Sequence, residues 1–285
     1  MDLWFSENHT ENIKLSIKVD KQLFSGDSKY QRIDIFESKE FGRFLTLDGI
    51  MMLTEKDEFI YHEMITHTAF AVNPNIKKIL VIGAGDGGVV RELVKYKHIE
   101  HIDLVEIDEM VVEVCKKFMT TTSVALNNDK LTIFYQDGLK FIRKCQQKYD
   151  LIIVDSTDPL GPGEVLFTRE FYGNCAKALT DEGILLNQHE SPFYALDAAA
   201  MQKAHKRISE EFPIGLVYQA HIPTYPSGHW LFGFASKTLH PLKDLKADIW
   251  NNFNIQTKYY NTDLHSGSFA LPNYVKELLK NAEQK

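Results

Sequence analysis

Two aspartates three residues apart, Asp155 and Asp158, follow the apolar run 151–154 in the segment Tyr149-Asp-Leu-Ile-Ile-Val-Asp-Ser-Thr-Asp-Pro-Leu-Gly-Pro162. So apolar a run must be covered on both faces, which predicts a central strand of a parallel sheet. Open sheets of this kind bind ligands at the carboxyl ends of their strands, where both aspartates fall. Two carboxylates confined there repel one another unless a cation joins them. The chemistry that suits them is alkyl transfer to an amine. An amine with a pKa near ~10 is protonated at neutral pH and must lose a proton before it can attack. A buried carboxylate beside a like charge can take that proton. An Asp-Pro turn would account for Asp158 but leaves Asp155 unexplained.

Other polar residues fall at similar positions. Gly83-Ala-Gly-Asp-Gly-Gly88 follows one apolar run and opens a helical pattern, the spacing of a loop that lets backbone approach a nucleoside. Asp86 inside it would repel a pyrophosphate and attract a sulfonium or an amine; its plainer reading is an acid favoured by a helix N-terminus. Glu106 ends the second strand, placed to accept both ribose hydroxyls. Asp137-Gly138 follows the third, where a carboxylate can take an adenine amino group and the glycine leaves room for the ring, although Asp-Gly is also a common turn. Gln188 stands near the end of the fifth strand. Tyr225 sits in Pro223-Thr-Tyr-Pro-Ser-Gly228, as a site phenol or as a tyrosine packed in a turn. Residues 159–163, rich in proline and glycine, suit a lid. His62 lies inside a helical pattern, and spacing alone assigns it no role.

The elements that must position these groups fall into two parts. Residues 1–58 alternate apolar and polar over 14–19 and 32–36, with turn residues at 41–43 and 48–49, the pattern of a small β-strand domain. Residues 59–285 form the second part. Its first helix, 58–71 at the junction, carries Phe59, Met64, Ile65 and Phe70 on one side. Strand-like segments then run over 78–83, 101–108, 130–137, 149–155 and 183–190, with amphipathic helices such as 109–119 and 169–179 between them. This alternation predicts an α/β, doubly wound Rossmann-like sheet. The segments 215–222 and 230–235 are joined too closely for a helical crossover, so they form a terminal antiparallel pair.

The chain has 285 residues, 44% hydrophobic and 25% charged, with a net charge of -7, which argues against a nucleic-acid partner. No apolar run approaches the roughly 18 residues of a membrane span. Met1-Asp-Leu-Trp-Phe5 lacks a secretion signal's basic start, and the three cysteines show no metal-ligand spacing. The expectation is a cytoplasmic protein with reduced, packing cysteines.

Taken together, these residues resemble the spermidine synthase (polyamine aminopropyltransferase) family. The likeness runs through Trp4-Phe5, Glu7, Tyr30-Gln31, Leu47-Asp48-Gly49 and the segments 58–64, 83–92, 105–108, 137–138, 150–162, 225–228 and 259–263. It implies transfer of an aminopropyl group from decarboxylated S-adenosylmethionine to putrescine, yielding spermidine and 5′-methylthioadenosine. By that analogy Gln31, Glu106, Asp137, Gly138 and Pro162 hold the donor nucleoside. Asp155 accepts the proton, and Asp86, Asp158, Tyr61, His62, Gln188 and Tyr225 surround the amines. The resemblance also implies a homodimer or homotetramer, and the chemistry calls for no metal or other cofactor, because a sulfonium is already a good leaving group. Alternatives are an aminopropyltransferase for cadaverine, agmatine or spermidine, a methyltransferase, or a non-catalytic polyamine sensor. Asp86 disfavours the methyltransferase, whose donor carries a carboxylate, and a sensor has no need of Asp155.

Overall fold

The structure, a computed structural model, describes residues 2–156 and 161–284. The N-terminal part opens with an antiparallel hairpin of β1 (Leu3–Thr10) and β2 (Ile13–Val19). A four-stranded antiparallel meander follows, β3 (Lys21–Asp27), β4 (Arg32–Ser38), β5 (Gly42–Leu47) and β6 (Ile50–Thr54). Between β5 and β6 both Asp48 (φ 51°) and Gly49 (φ 80°) are left-handed, the backbone that a tight two-residue hairpin requires. Alternation gives the meander two apolar faces. Ile33, Ile35, Leu45, Leu47 and Leu53 form one, whereas Phe36, Phe44 and Met51 pack with Phe5 and Ile17 of the hairpin.

The second part is built on a seven-stranded sheet. Five strands run parallel: β7 (Lys78–Gly83), β8 (His101–Glu106), β9 (Leu131–Tyr135), β10 (Tyr149–Asp155) and β11 (Leu179–Gln188). The sheet is completed by β12 (Ile214–His221) and β13 (His229–Ser236), with β13 antiparallel to both β11 and β12. Spatial order is β12-β13-β11-β10-β7-β8-β9. The chain leaves β7 in one direction for β8 and returns to its other side with β10, so the topological switch point lies between β7 and β10. That crevice opens where Gly83 and Asp155 pair in register.

Helices cover both faces: α1 (Glu58–Val72), α2 (Gly88–Leu93), α3 (Glu109–Phe118), α4 (Gly138–Ile142), α5 (Arg169–Ala178) and α6 (Ala195–Glu211). Three more, α7 (Ala247–Asn252), α8 (Thr262–Ser268) and α9 (Asn273–Gln284), close the chain. Val111, Val114 and Cys115 of α3 pack with the first face of the N-terminal meander, which seats that sheet over the carboxyl ends of the parallel strands.

Two expectations need correction. α1 is not one-sided: 14 of its 15 residues are buried, and Phe59, expected in the core face, is the exception. Several of its buried polar residues are paired inside the protein, Thr66 Oγ1 being an exception. Glu63 accepts the backbone N–H groups of Lys258, Tyr259 and Tyr260 at 2.8–2.9 Å, and His67 bonds Tyr96 and Glu92. Several strands are also shorter than their apolar patterns, because the acids at their ends leave the ladder to cap helices. Asp108 accepts from Met110 N ahead of α3, and Asp137 accepts from Lys140 N ahead of α4.

Candidate active site

Geometry at the switch point follows from one glycine. Gly83 has φ +85°, and a Cβ on it would lie 1.9 Å from the carbonyl oxygen of Asp155. The bare backbone therefore crosses the end of β10, and Ala84 N donates to Asp155 O at 2.9 Å. That crossing brings Asp86 beside Asp155. His62 arrives from α1, its ring seated on Gly88, where a Cβ would come within 2.2 Å of the imidazole Cε1. One ring nitrogen of His62 and one carboxylate oxygen from each of Asp86 and Asp155 lie within 4.8 Å of one another.

Each member of this cluster is held. Tyr61 Oη donates to Asp155 Oδ1 at 2.6 Å. Asp86 Oδ1 accepts from Gly88 N at 2.8 Å and lies 3.3 Å from His62 Nε2, so it is both the helix-terminal acid and a cleft carboxylate. Burial, and then the Asp86 charge, push the Asp155 carboxyl up to about 6, with His62 and the Tyr61 hydroxyl pulling the other way. Asp155 is thus ionised at neutral pH yet basic enough to take a proton from a bound ammonium.

On the α3 side, Glu106 is buried, and its Oε1 accepts from Asp108 N at 2.9 Å. Burial outweighs that hydrogen bond and, helped by the Asp108 and Asp155 charges, raises Glu106 to about 7. Its other oxygen lies over Gly85. Gln31 reaches across from the N-terminal part, Nε2 donating to Asp108 Oδ2 at 3.0 Å. Asp137 lines the cleft while capping α4, and Gly138 lies against Ile82 where a side chain would clash.

On the opposite side, Tyr225 stands 6.0 Å from Tyr61, ring centre to ring centre, and donates to Met52 O at 2.6 Å. Gln188 is buried and bonded to Glu190, Nε2 to Oε1 at 2.8 Å. These residues line one cleft. The β5–β6 strands complete it through Leu47, Met51, Met52 and Leu53. Gln31, Tyr61, His62, Asp86, Glu106, Asp137, Gly138, Asp155, Gln188 and Tyr225 are therefore brought together. Asp158 lies outside the described residues, as does the side chain of Pro162. Sequence reasoning missed Glu58, Arg91 and Trp230 as neighbours of the site, whereas the segment 188–191 at the end of the fifth strand already offers polar groups, Glu190 among them, to its rim. Glu58 stood one helical turn before His62, a spacing that puts the two side chains on one face. Glu190 followed Gln188, but its left-handed backbone (φ 66°) carries no signature in the chain.

The chain is similar to known proteins over both of its parts. The Spermine/spermidine synthase domain matches residues 58–247, and the Spermidine synthase tetramerisation domain matches residues 3–55. The polyamine aminopropyltransferase of Alkaliphilus oremlandii (strain OhILAs) is 66% identical over 284 residues, covering 100% of both chains. This chain belongs to the spermidine synthase family. As a polyamine aminopropyltransferase it is also 63% identical to that of Clostridium beijerinckii over 279 residues, 98% of each chain. Among solved structures, a spermidine synthase in complex with the transition-state analogue AdoDATO superposes with a TM-score of 0.95 at 44% identity, covering 98% of this chain and 95% of that one. The spermidine synthase of Thermotoga maritima gives 0.92 at 42% identity, with 98% and 94% covered. The aminopropyltransferase fold thus accounts for both parts of the chain, the Rossmann-like sheet and the small β-domain before it.

Proposed function

We propose that this aminopropyltransferase moves the aminopropyl group of decarboxylated S-adenosylmethionine to putrescine, producing spermidine and 5′-methylthioadenosine, with Asp155 as proton acceptor. The observation that carries this reading is the Asp155–Asp86–Tyr61 arrangement, in which Asp86 and Tyr61 are buried and Asp155 is half-buried at the cleft. It pairs a carboxylate poised near neutrality with a second carboxylate for a cation. The putrescine ammonium gives one proton to Asp155. Its freed nitrogen lone pair forms a bond to the propyl carbon next to sulfur, while the C–S bond breaks and its electrons neutralise the sulfonium. Tyr61, fixed on Asp155 Oδ1, keeps that oxygen pair aimed into the cleft.

Glu106 takes the ribose hydroxyls, Asp137 the adenine amino group, and Gln31, Gly138 and Pro162 border the nucleoside. Asp86 and His62 face the donor's terminal ammonium, and Asp158, Gln188 and Tyr225 surround the diamine. An acidic cleft favours a donor without a carboxylate over ordinary S-adenosylmethionine. Holding the amine in line with the reacting carbon supplies several kcal/mol of the barrier reduction. The reaction draws on no metal: the leaving group is already cationic, and both nitrogens of His62 are engaged by carboxylates.

The match over residues 3–55 to a tetramerisation domain supports a homo-oligomer, dimer or tetramer. The cysteines at 115, 145 and 175 are buried free thiols, which suits the cytoplasm. Among the described residues no helix is long and apolar enough to cross a membrane. A panel of diamines and polyamines with the decarboxylated donor, read by product mass, tests the reading. Spermidine with an equal amount of methylthioadenosine is expected. A methylated amine formed from S-adenosylmethionine, without methylthioadenosine, would overturn it.

A further inference from the structure

Behind the reacting groups, each charge is fixed by the next. His62 Nδ1 lies 2.5 Å from Glu58 Oε2, one turn earlier on α1, and His62 Nε2 lies 3.3 Å from Asp86 Oδ1. Arg91 on α2 grips both oxygens of Glu58, Nη1 to Oε1 at 2.7 Å and Nη2 to Oε2 at 2.9 Å. The guanidinium is itself anchored by Glu92 Oε1 at 3.0 Å and the carbonyl of Thr121 at 3.1 Å. His62 and Glu58 are buried, at 2% and 7% exposure, so bulk water competes little for these contacts.

An imidazole whose two nitrogens both face carboxylate oxygens satisfies them only by carrying both protons. Burial alone would lower its pKa, but the Asp86 and Glu58 carboxylates outweigh burial and raise it to about 10. Glu58 is buried too, yet His62 and Arg91 hold it down at about 2. The bidentate fork matters here, because a planar guanidinium fixes the carboxylate plane as well as its charge. Among the described residues, the charged and titratable groups around the ring are Glu58 and Tyr61 from α1, Asp86 from the loop after β7 and Asp155 at the end of β10, with Arg91 behind Glu58.

We propose that Glu58, clamped by Arg91, is a positioning residue that holds His62 as a fixed buried cation beside Asp86 and Asp155. Glu58 borders the cleft with both carboxylate oxygens held by Arg91, which stands behind the lining. Their effect passes through His62. Two adjacent carboxylates without a cation would share a proton, and the one taking it would cease to be a base. An imidazolium tied to Asp86 offsets part of that partner's charge and leaves Asp155 as the group that gains a proton during turnover. This consequence rests on the role proposed above for Asp155.

The test is an NMR titration of the His62 ring in the full chain without substrate, with the resonance assigned by its loss in His62→Gln. In the unsubstituted chain His62 is expected to titrate at about 10. In Glu58→Gln, which keeps the shape and removes the charge, the titration falls by about one to three pH units. A wild-type His62 already neutral at pH 7, or a Glu58→Gln titration unchanged from wild type, overturns the proposal. Should Glu58→Gln fail to fold, Glu58→Asp replaces it: the shortened carboxylate loses its 2.5 Å contact, and the titration is again expected to fall. An unshifted Glu58→Asp counts against the proposal in the same way. Because no substrate is present, the titration is independent of the amine panel, and failure of either is recognised separately.

Discussion

At the scale of single residues, the cleft sets two carboxylates against their own solvation. Asp155 rises to about 6 and Glu106 to about 7, in each case chiefly because burial disfavours the charged form. For Asp155 the functional sign is direct: the group is a base above its pKa, so turnover at saturating substrates should climb as pH passes through about 6. A profile flat from pH 5 to 8 would remove Asp155 as acceptor. Asp155→Asn should cut turnover by about 10²–10⁴-fold and leave methylthioadenosine affinity nearly unchanged, measured by calorimetry. Glu106 carries the opposite lesson for stability. Its folded-state pKa lies above its unfolded value, so its favourable contribution is complete below the unfolded pKa and is lost as pH rises through about 7. Glu106→Gln should therefore raise the melting temperature at pH 8 while weakening nucleoside binding. A fall in both would show that its carboxylate is stabilised by its surroundings in the absence of ligand.

At the scale of elements, α1 is the axis on which the site is hung. Tyr61 and His62 face the cleft, Glu58 reaches Arg91, and Glu63 and His67 face away into polar networks of their own. An amphipathic reading of 58–71 assumes that polar residues mean solvent. Here they mean buried partners from segments remote in the chain. Glu63 shows the consequence. Its carboxylate terminates three backbone N–H groups at 258–260, so Glu63→Ala should cost about 3 kcal/mol in urea unfolding, the scale of leaving buried donors unpaired. A change within ~0.5 kcal/mol would mean that water replaces the carboxylate there. The central strands, by contrast, were legible: continuous apolar runs at 78–83 and 149–155 belong to the two strands that meet at the switch point, although their order in the sheet was not.

At the scale of the whole molecule, the small β-domain is part of the cleft wall. Several contacts latch it or its exit segment to the larger part, Ser28 donating to Asp108 and Arg43 to the carbonyl of Phe118 among them. Gln31 reaches Asp108, Tyr225 reaches the carbonyl of Met52, and Asp57 accepts from both the backbone and hydroxyl of Thr224. Tyr225→Phe keeps the ring and removes one latch. It should raise KM for the amine several-fold, with KM for the donor unchanged, because Tyr225 borders the side opposite Glu106. Equal rises in both would place Tyr225 in general closure of the cleft.

From the chain alone came the alternation of strand and helix, the closing antiparallel pair, and acids concentrated at strand ends. Periodicity and turn chemistry are local properties, and a carboxylate three residues from another needs no fold to be noticed. Tertiary structure decided which of those acids meet and in what state. Asp86 comes within 4.8 Å of Asp155 because Gly83 lets two backbones cross. His62 is cationic because carboxylates from one helix and one distant loop close on its two nitrogens. Charge state depends on distance and burial among residues far apart in the chain, and only folding sets those distances.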